Sequence, residues 1–426
     1  MACSVLFSVP QFPCNNPDMN QLTADTPASF VRKPPNSATK KIHILFHDAG
    51  GGHRNAAMAL QAIAVEQGRD WQIELIQFQD LTDHLDVLRK VTGIRIQQQY
   101  NIILQNGWTL GSAQLLRVLQ ATIRLFHGPL VKLLAKVWRE RPADMLVSVI
   151  PHFNREIAES WHSVYPDRPF VTLITDLADY PPRFWIEPIA DQYVIAGTEK
   201  AAEQARALGH DSVHLFQTSG MILRPDFYTA DNSDPREVRR SLGLSEDLPT
   251  AIMLFGGHGS KVMYEITERL DAANLHLQLI LICGKNEDLA RKLREHKWKF
   301  PVHVAGFTRE VPKFMRAADF LIGKPGPGSI AESMVKGLPV LVECNAWTLP
   351  QERYNTEWVR EKRVGIVLDN FKQVVEGVRQ MLDPATLAEF RSNVAAQNNR
   401  AIFEIPEILD KLLGETDRTA IHESLS

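Results

Sequence analysis

Four segments of this chain combine residue types whose spacing suits chemistry on a charged, hydroxyl-rich ligand. The first is Asp48-Ala49-Gly50-Gly51-Gly52-His53-Arg54, directly after the apolar run IHILFH (42–47). Glycines permit positive φ and close ligand approach. A helix starting behind them offers free N–H groups and a positive dipole end. The loop presents His53, whose imidazole suits a general base near neutral pH. A tight turn with a histidine at a helix start has the same pattern. The segment fits neither the P-loop nor the G-x-G-x-x-G fingerprint.

The second, Gly256-Gly257-His258-Gly259-Ser260, mirrors the first in the rear of the chain and could cradle a phosphate or form a plain turn. The third, Lys324-Pro325-Gly326-Pro327-Gly328-Ser329-Ile330-Ala331-Glu332, ends an apolar run and opens a helix. Its N–H groups suit a diphosphate, and Glu332, one turn in, suits a ribose hydroxyl pair. The Ser329/Glu332 spacing also matches a capping box that only stabilises the helix. The fourth, Pro350-Gln351-Glu352-Arg353-Tyr354-Asn355, places Gln351 and Glu352 as candidates for sugar hydroxyls.

These loops need a scaffold, and the flanking pattern supplies one. Short apolar runs (IHILFH, WQIELIQF, MLVSVI, FVTLIT, QYVIAG) alternate with helical spacing, and a second series (AIMLFGG, LQLILICG, VHVAGF, DFLIGKP, PVLVE) follows a proline-broken stretch. Such alternation predicts α/β architecture with parallel sheets covered on both faces. The expected organisation is a flexible lead-in over 1–38, a first α/β domain over 39–220, a linker over 221–248, and a second α/β domain over 249–426. Ligands of such sheets bind beyond the carboxyl ends of the strands, which directs attention to a cleft between two facing domains.

One segment breaks the regularity. From Val87 to Arg139 there is no Asp or Glu, and Arg89, Lys90, Arg95, Arg117, Arg124, Lys132, Lys136 and Arg139 all fall within it, with Trp108, Phe126 and Trp138. A basic amphipathic surface of this kind suits anionic lipid. Two ordinary helices with a solvated basic face would look the same.

Composition narrows the classes. Forty-seven Lys+Arg against fifty Asp+Glu give a net charge of −3, which speaks against a nucleic-acid partner drawn by overall charge. No run approaches 18 apolar residues, so no membrane-spanning helix is expected. Cys3, Cys14, Cys283 and Cys344 are too widely spaced for a C-x-x-C knuckle. Cys283 and Cys344 fit small buried hydrophobes in a reducing compartment.

The four motifs together, in this order, resemble the GT-B glycosyltransferases, and more closely the monogalactosyldiacylglycerol synthases and processive diacylglycerol glucosyltransferases. The peptidoglycan N-acetylglucosaminyltransferase is a more distant likeness. The resemblance runs from about Lys41 to Leu413. It is carried by DAGGGHR (48–54), TDL (175–177), ILRPDF (222–227), KPGPGSIAE (324–332), PQERYN (350–355) and FRSNVAAQNNRAIFEI (390–405). The chain departs from the pattern at His258, at Tyr180-Pro181-Pro182 and at PHFN (151–154), the last two on the acceptor side.

The resemblance implies a GT-B fold of two facing Rossmann-like domains, without a metal or other cofactor. It implies transfer of a hexose from a UDP-sugar to diacylglycerol, with inversion. His53 falls on the base or acceptor-site histidine, and Gly51, Gly52 and Asp176 on the acceptor side. Gly256, Gly257, Gly259, Ser260, Gly306, Phe307, Gly326, Gly328, Ser329, Glu332, Gln351 and Glu352 fall on the donor side. Arg89, Lys90, Arg95, Trp108, Arg117, Arg124, Lys132 and Lys136 become the expected contacts to an anionic membrane. The expected location is cytoplasmic, peripheral on the inner face of a membrane. The absence of any D-x-D agrees with metal-free chemistry. A non-diacylglycerol acceptor, a UDP-sugar epimerase and a non-catalytic nucleotide- or lipid-binding protein remain open alternatives.

Overall fold

A computed structural model describes residues 39–47, 51–82, 123–229 and 233–424, all within one unit, Thr39–Ser426. The first sheet contains β1 (Lys40–Phe46), β2 (Trp71–Gln77), β3 (Met145–Ser148), β4 (Phe170–Leu173), β5 (Gln192–Ala196) and β6 (Leu215–Gln217). The second contains β7 (Thr250–Leu254), β8 (Gln278–Ile282), β9 (Val302–Ala305), β10 (Phe320–Gly323), β11 (Val340–Glu343) and β12 (Gly365–Leu368). Each sheet has six strands, in the orders β2-β1-β3-β4-β5-β6 and β12-β11-β10-β7-β8-β9. Every pairing is parallel. The doubly wound α/β expectation therefore holds.

The strand sequences follow from this burial. β7 (TAIML) and β8 (QLILI) are buried at every position, as interior parallel strands require. Edge strand β2 (WQIELIQ) instead shows the alternation of a half-covered strand. β6 and β12 lie outside the runs read from sequence. Both are short edge strands, of three and four residues.

Helices cover both faces of each sheet. Ala56, Ala57, Leu60 and Ile63 of the helix Gly52–Glu66 pack on Ile42 and Ile44. Trp138 and Trp161, from the helices His127–Glu140 and Asn154–His162, fill the other face against Leu45 and Leu146. In the second sheet, Met263, Leu289 and Val378 lie on one face, and Val238, Ile330 and Val359 on the other.

Packing corrects the expected boundaries. The closing helix Ala401–Ser424 does not pack with the second sheet: Ile402, Ile405, Leu409 and Leu412 join the core of the first. Arg69 forms ion pairs with Glu407 and Asp410, and Trp71 Nε1 donates to Asp410 at 3.0 Å. Asn399 marks the crossing, donating to the Met221 carbonyl at 2.9 Å. The expected linker over 221–248 also divides. Ile222 packs with the first core, whereas Phe227, Val238 and Leu244 belong to the second. Cys283 is buried as expected, while Cys344 is only half-buried.

Candidate active site

In doubly wound sheets the ligand crevice opens where strand order reverses. Those points lie between β1 and β3 in the first sheet and between β7 and β10 in the second. Three of the four motifs singled out by sequence follow these strands, after β1, β7 and β10, and the fourth follows β11.

After β1 the chain reaches the helix Gly52–Glu66, whose N-cap, Gly51, has φ 87° and no side-chain cap. Left-handed backbone of this kind favours glycine. Asp48, Ala49 and Gly50 lie outside the described residues. His53 is half-buried in the first turn. Its Nδ1 lies 3.1 Å from Thr175 Oγ1, and its ring lies 5.6 Å from the Trp185 indole. Burial lowers its pKa to about 4, offset in part by a hydrogen bond to the Val149 backbone, so the imidazole is neutral at physiological pH.

Asp176 is buried beside it and accepts from Trp185 Nε1 at 2.8 Å. One indole thus touches both His53 and Asp176. Burial pushes the Asp176 carboxyl up to about 7. The Trp185 bond opposes the rise, Glu352 adds to it, and Lys324 opposes it. The last two belong to the second half, so Asp176 faces across the cleft.

Two further histidines share this site and were not singled out from sequence. His47 directly follows β1, with its ring edge-on to Phe78 at 5.6 Å. His152 follows β3 with φ 74°, an uncommon conformation for a non-glycine residue. Its N–H donates to the Phe184 carbonyl at 2.6 Å. Burial, reinforced by His53, lowers His47 to about 3 and His152 to about 4. The available signal was position: each follows directly on an apolar strand. Trp185 left no comparable signal.

In the second half, Gly256, Gly257, Gly259 and Ser260 form the turn between β7 and the helix Val262–Ala272. Gly259 has φ 61°, and a Cβ there would lie 2.4 Å from the Cys283 carbonyl oxygen, so only glycine fits. After β10 the helix Pro327–Val335 starts from N-cap Gly326, with Gly328 and Ser329 in its first turn and no side-chain cap. The capping-box alternative is therefore not realised, because Ser329 lies inside the helix. The helix behind Leu349 also lacks a side-chain cap, whereas behind Ser260 the Val262 N–H donates to Ser260 Oγ at 3.4 Å and the Met263 N–H to the Ser260 carbonyl at 3.0 Å. First-turn N–H groups behind Gly51, Gly326 and Leu349 can serve a ligand.

Glu332 is half-buried, and burial pushes its carboxyl up to about 7, with Arg224 lowering and Asp226 raising it. Both neighbours come from the ILRPDF segment. After β11, the helix Pro350–Glu361 carries half-buried Gln351 and buried Glu352. Glu352 Oε1 accepts from Lys324 Nζ at 2.7 Å. Asn355 Nδ2 donates to the Pro325 carbonyl at 2.7 Å, tying the third and fourth motifs together. Gly306 and exposed Phe307 follow β9 at the sheet edge, with Lys285 Nζ 5.7 Å from the Phe307 ring centroid.

Contacts and charge interactions thus link His53 and Asp176 in the first half to Gly256, Gly326 and Glu352 in the second, through Trp185 and Lys324, which sequence reasoning left without a role. Of the basic segment, Arg124, Lys132 and Lys136 are exposed, and Lys136 pairs with Glu140 at 3.8 Å. Trp138 turns inward, donating to Ser160 at 2.9 Å. Arg89, Lys90, Arg95, Trp108 and Arg117 lie outside the described residues. Among the described residues no group of three or more His, Cys, Asp or Glu is arranged to hold a metal ion. No described helix is long and apolar enough to cross a membrane.

Comparison with known proteins adds independent findings. Residues 251–408 match the glycosyltransferase family 28 C-terminal domain. The chain is 30% identical over 409 residues to a chloroplastic monogalactosyldiacylglycerol synthase of Spinacia oleracea, covering 90% of this chain and 75% of that one. It is 29% identical over 364 residues to monogalactosyldiacylglycerol synthase 1 of Arabidopsis thaliana, covering 82% and 66%. Among solved structures it is similar to a UDP complex of MnaA from S. aureus, with TM-score 0.56, 17% identity and coverage of 88% and 97%. It is also similar to MurG of Acinetobacter baumannii, with TM-score 0.55, 11% identity and coverage of 87% and 99%. At these identities the structural likeness establishes the fold, which is GT-B.

Proposed function

The chain belongs to the monogalactosyldiacylglycerol synthase family of GT-B glycosyltransferases, and from that premise we propose that it transfers a hexose from a UDP-sugar to diacylglycerol or a related lipid at a membrane surface. The observation that carries this reading is the opposition of two chemistries across one cleft. The first half offers a half-buried, neutral imidazole beside Thr175 and Trp185. The second offers an uncapped helix N-terminus and glycine turns at the β7/β10 switch point.

In the proposed reaction the acceptor O–H gives its proton to His53 as its oxygen bonds to the anomeric carbon of the donor. The bond from that carbon to the diphosphate oxygen breaks, and UDP leaves with the electron pair. Displacement from the opposite face inverts the anomeric centre. In the tautomer that carries its proton on Nδ1, which lies 3.1 Å from Thr175 Oγ1, the lone pair that takes the acceptor's proton lies on Nε2. Burial keeps His53 in this basic form. The leaving diphosphate gains negative charge in the transition state, which preorganised N–H groups stabilise. Gly328 and Ser329 supply such groups in the first turn after Gly326.

Glu332 is assigned to the ribose hydroxyls, and Gln351 and Glu352 to the donor sugar. Gly306 and Phe307 are placed on the base side of the donor. A lipid acceptor leaves the bilayer only at high cost, so the enzyme docks on it. The exposed cations Arg124, Lys132 and Lys136 support that docking. The reading is tested by supplying UDP-galactose and UDP-glucose with and without diacylglycerol vesicles and resolving the lipids by chromatography. A sugar-labelled lipid with one donor is expected. Donor consumed equally without any acceptor would favour an epimerase instead.

A further inference from the structure

Lys324 occupies an unusual place. It directly follows β10, one of the two strands of the β7/β10 switch point. A Cβ on Gly256 would lie 3.6 Å from Lys324 Cε, and a Cβ on Gly326 would lie 3.4 Å from it. The two glycine turns therefore flank the lysine head from the β7 and β10 sides. Its partner is Glu352, at 2.7 Å, and the pair is asymmetric: the lysine side chain is 41% exposed and the glutamate 10%. The ammonium is the accessible member of the pair and the carboxylate the buried one. Asp176, from the other half, feels both charges.

We propose that Lys324 is the group that meets the diphosphate of the donor, and that it does so by exchanging partners: Nζ passes from Glu352 to a phosphate oxygen, and the Glu352 carboxylate passes to a hydroxyl of the donor sugar. The exchange rests on the UDP-sugar reading above. It follows from two physical constraints. A diphosphate entering between the two glycine turns meets the flexible, exposed ammonium before the buried carboxylate, and a cation bonds phosphate strongly. A carboxylate left buried without a donor is costly, so Glu352 must find another hydrogen-bond donor once the lysine leaves. A sugar hydroxyl linked to that diphosphate arrives in the same event. The exchange thereby couples recognition of the phosphates to recognition of the sugar.

Calorimetry of the full chain with UDP and with uridine tests it. Wild type is expected to bind UDP more tightly than uridine. Lys324→Met should weaken UDP by about tenfold or more, with uridine binding unchanged, which also reports that the variant is folded. Lys324→Arg, which keeps the charge, should retain most of the difference. Glu352→Gln gives the sharper result. Without a carboxylate competing for the ammonium, UDP should bind more tightly than in wild type, whereas a salt bridge that merely holds the loop in shape predicts weaker binding. Weaker UDP binding in Glu352→Gln, or an undiminished preference for UDP over uridine in Lys324→Met, overturns the exchange. Failure of the wild-type protein to prefer UDP over uridine would instead remove the UDP-sugar reading itself.

Discussion

Trp185 and Asp176 are joined by a 2.8 Å hydrogen bond from the indole N–H to a carboxylate oxygen. That bond only partly restrains the rise in the Asp176 pKa to about 7 caused by burial and by Glu352. The folded state therefore holds a proton on Asp176 that the unfolded chain, titrating near pH ~4, has already lost. Stability from this group is full below the unfolded pKa and is lost as pH rises through about 7. Asp176→Asn stays neutral throughout. Its melting temperature relative to wild type should rise between about pH 5 and about pH 8. A difference that stays constant across that range in thermal unfolding would refute the shift.

His53 should govern turnover. His53→Ala is expected to lower kcat by about 10²–10⁴-fold while leaving UDP affinity nearly intact, because the imidazole serves the acceptor side. Burial sets its pKa at about 4. The acid limb of the kcat/KM profile should accordingly lie near pH 4, well below the ~6.5 of a free imidazole. Steady-state kinetics across pH, with the variant as reference, checks both. Near-wild-type turnover in His53→Ala would take this residue out of the mechanism.

Glu332 should matter for the nucleotide. Glu332→Ala is expected to weaken UDP binding by about tenfold or more, as loss of a charged hydrogen-bond acceptor does. It should also erase the preference for UDP over 2′,3′-dideoxy-UDP in calorimetry. If the glutamate served only the helix Pro327–Val335, both ligands would weaken together and the preference would survive.

The three glycine-containing motifs were legible because each closely follows a strand whose apolar run is unmistakable, and the fourth follows β11 after a six-residue loop. Parallel topology then carries those loops to the carboxyl ends of the sheets. The meeting of His47, His53 and His152 was not legible, because it depends on β3 lying beside β1. Strand order is a long-range outcome that no local pattern encodes. The closing helix failed for a related reason. Apolar spacing over Ile402, Ile405, Leu409 and Leu412 shows that one face is buried, but not which sheet covers it. The ion pairs of Arg69, more than three hundred residues earlier, and the first-sheet core settle that. Lys324 had no role of its own in the sequence because its partner Glu352 lies 28 residues away, beyond a strand.

The central claim is that this cleft moves a sugar from a UDP ester to a lipid hydroxyl with inversion. The most direct measurement is proton NMR of the lipid product formed from an α-linked UDP-hexose and diacylglycerol vesicles. A β-linked glycosyl-diacylglycerol, formed only when both substrates are present, is the expected result. An α-linked product, or UDP release that leaves every lipid unglycosylated, would contradict it.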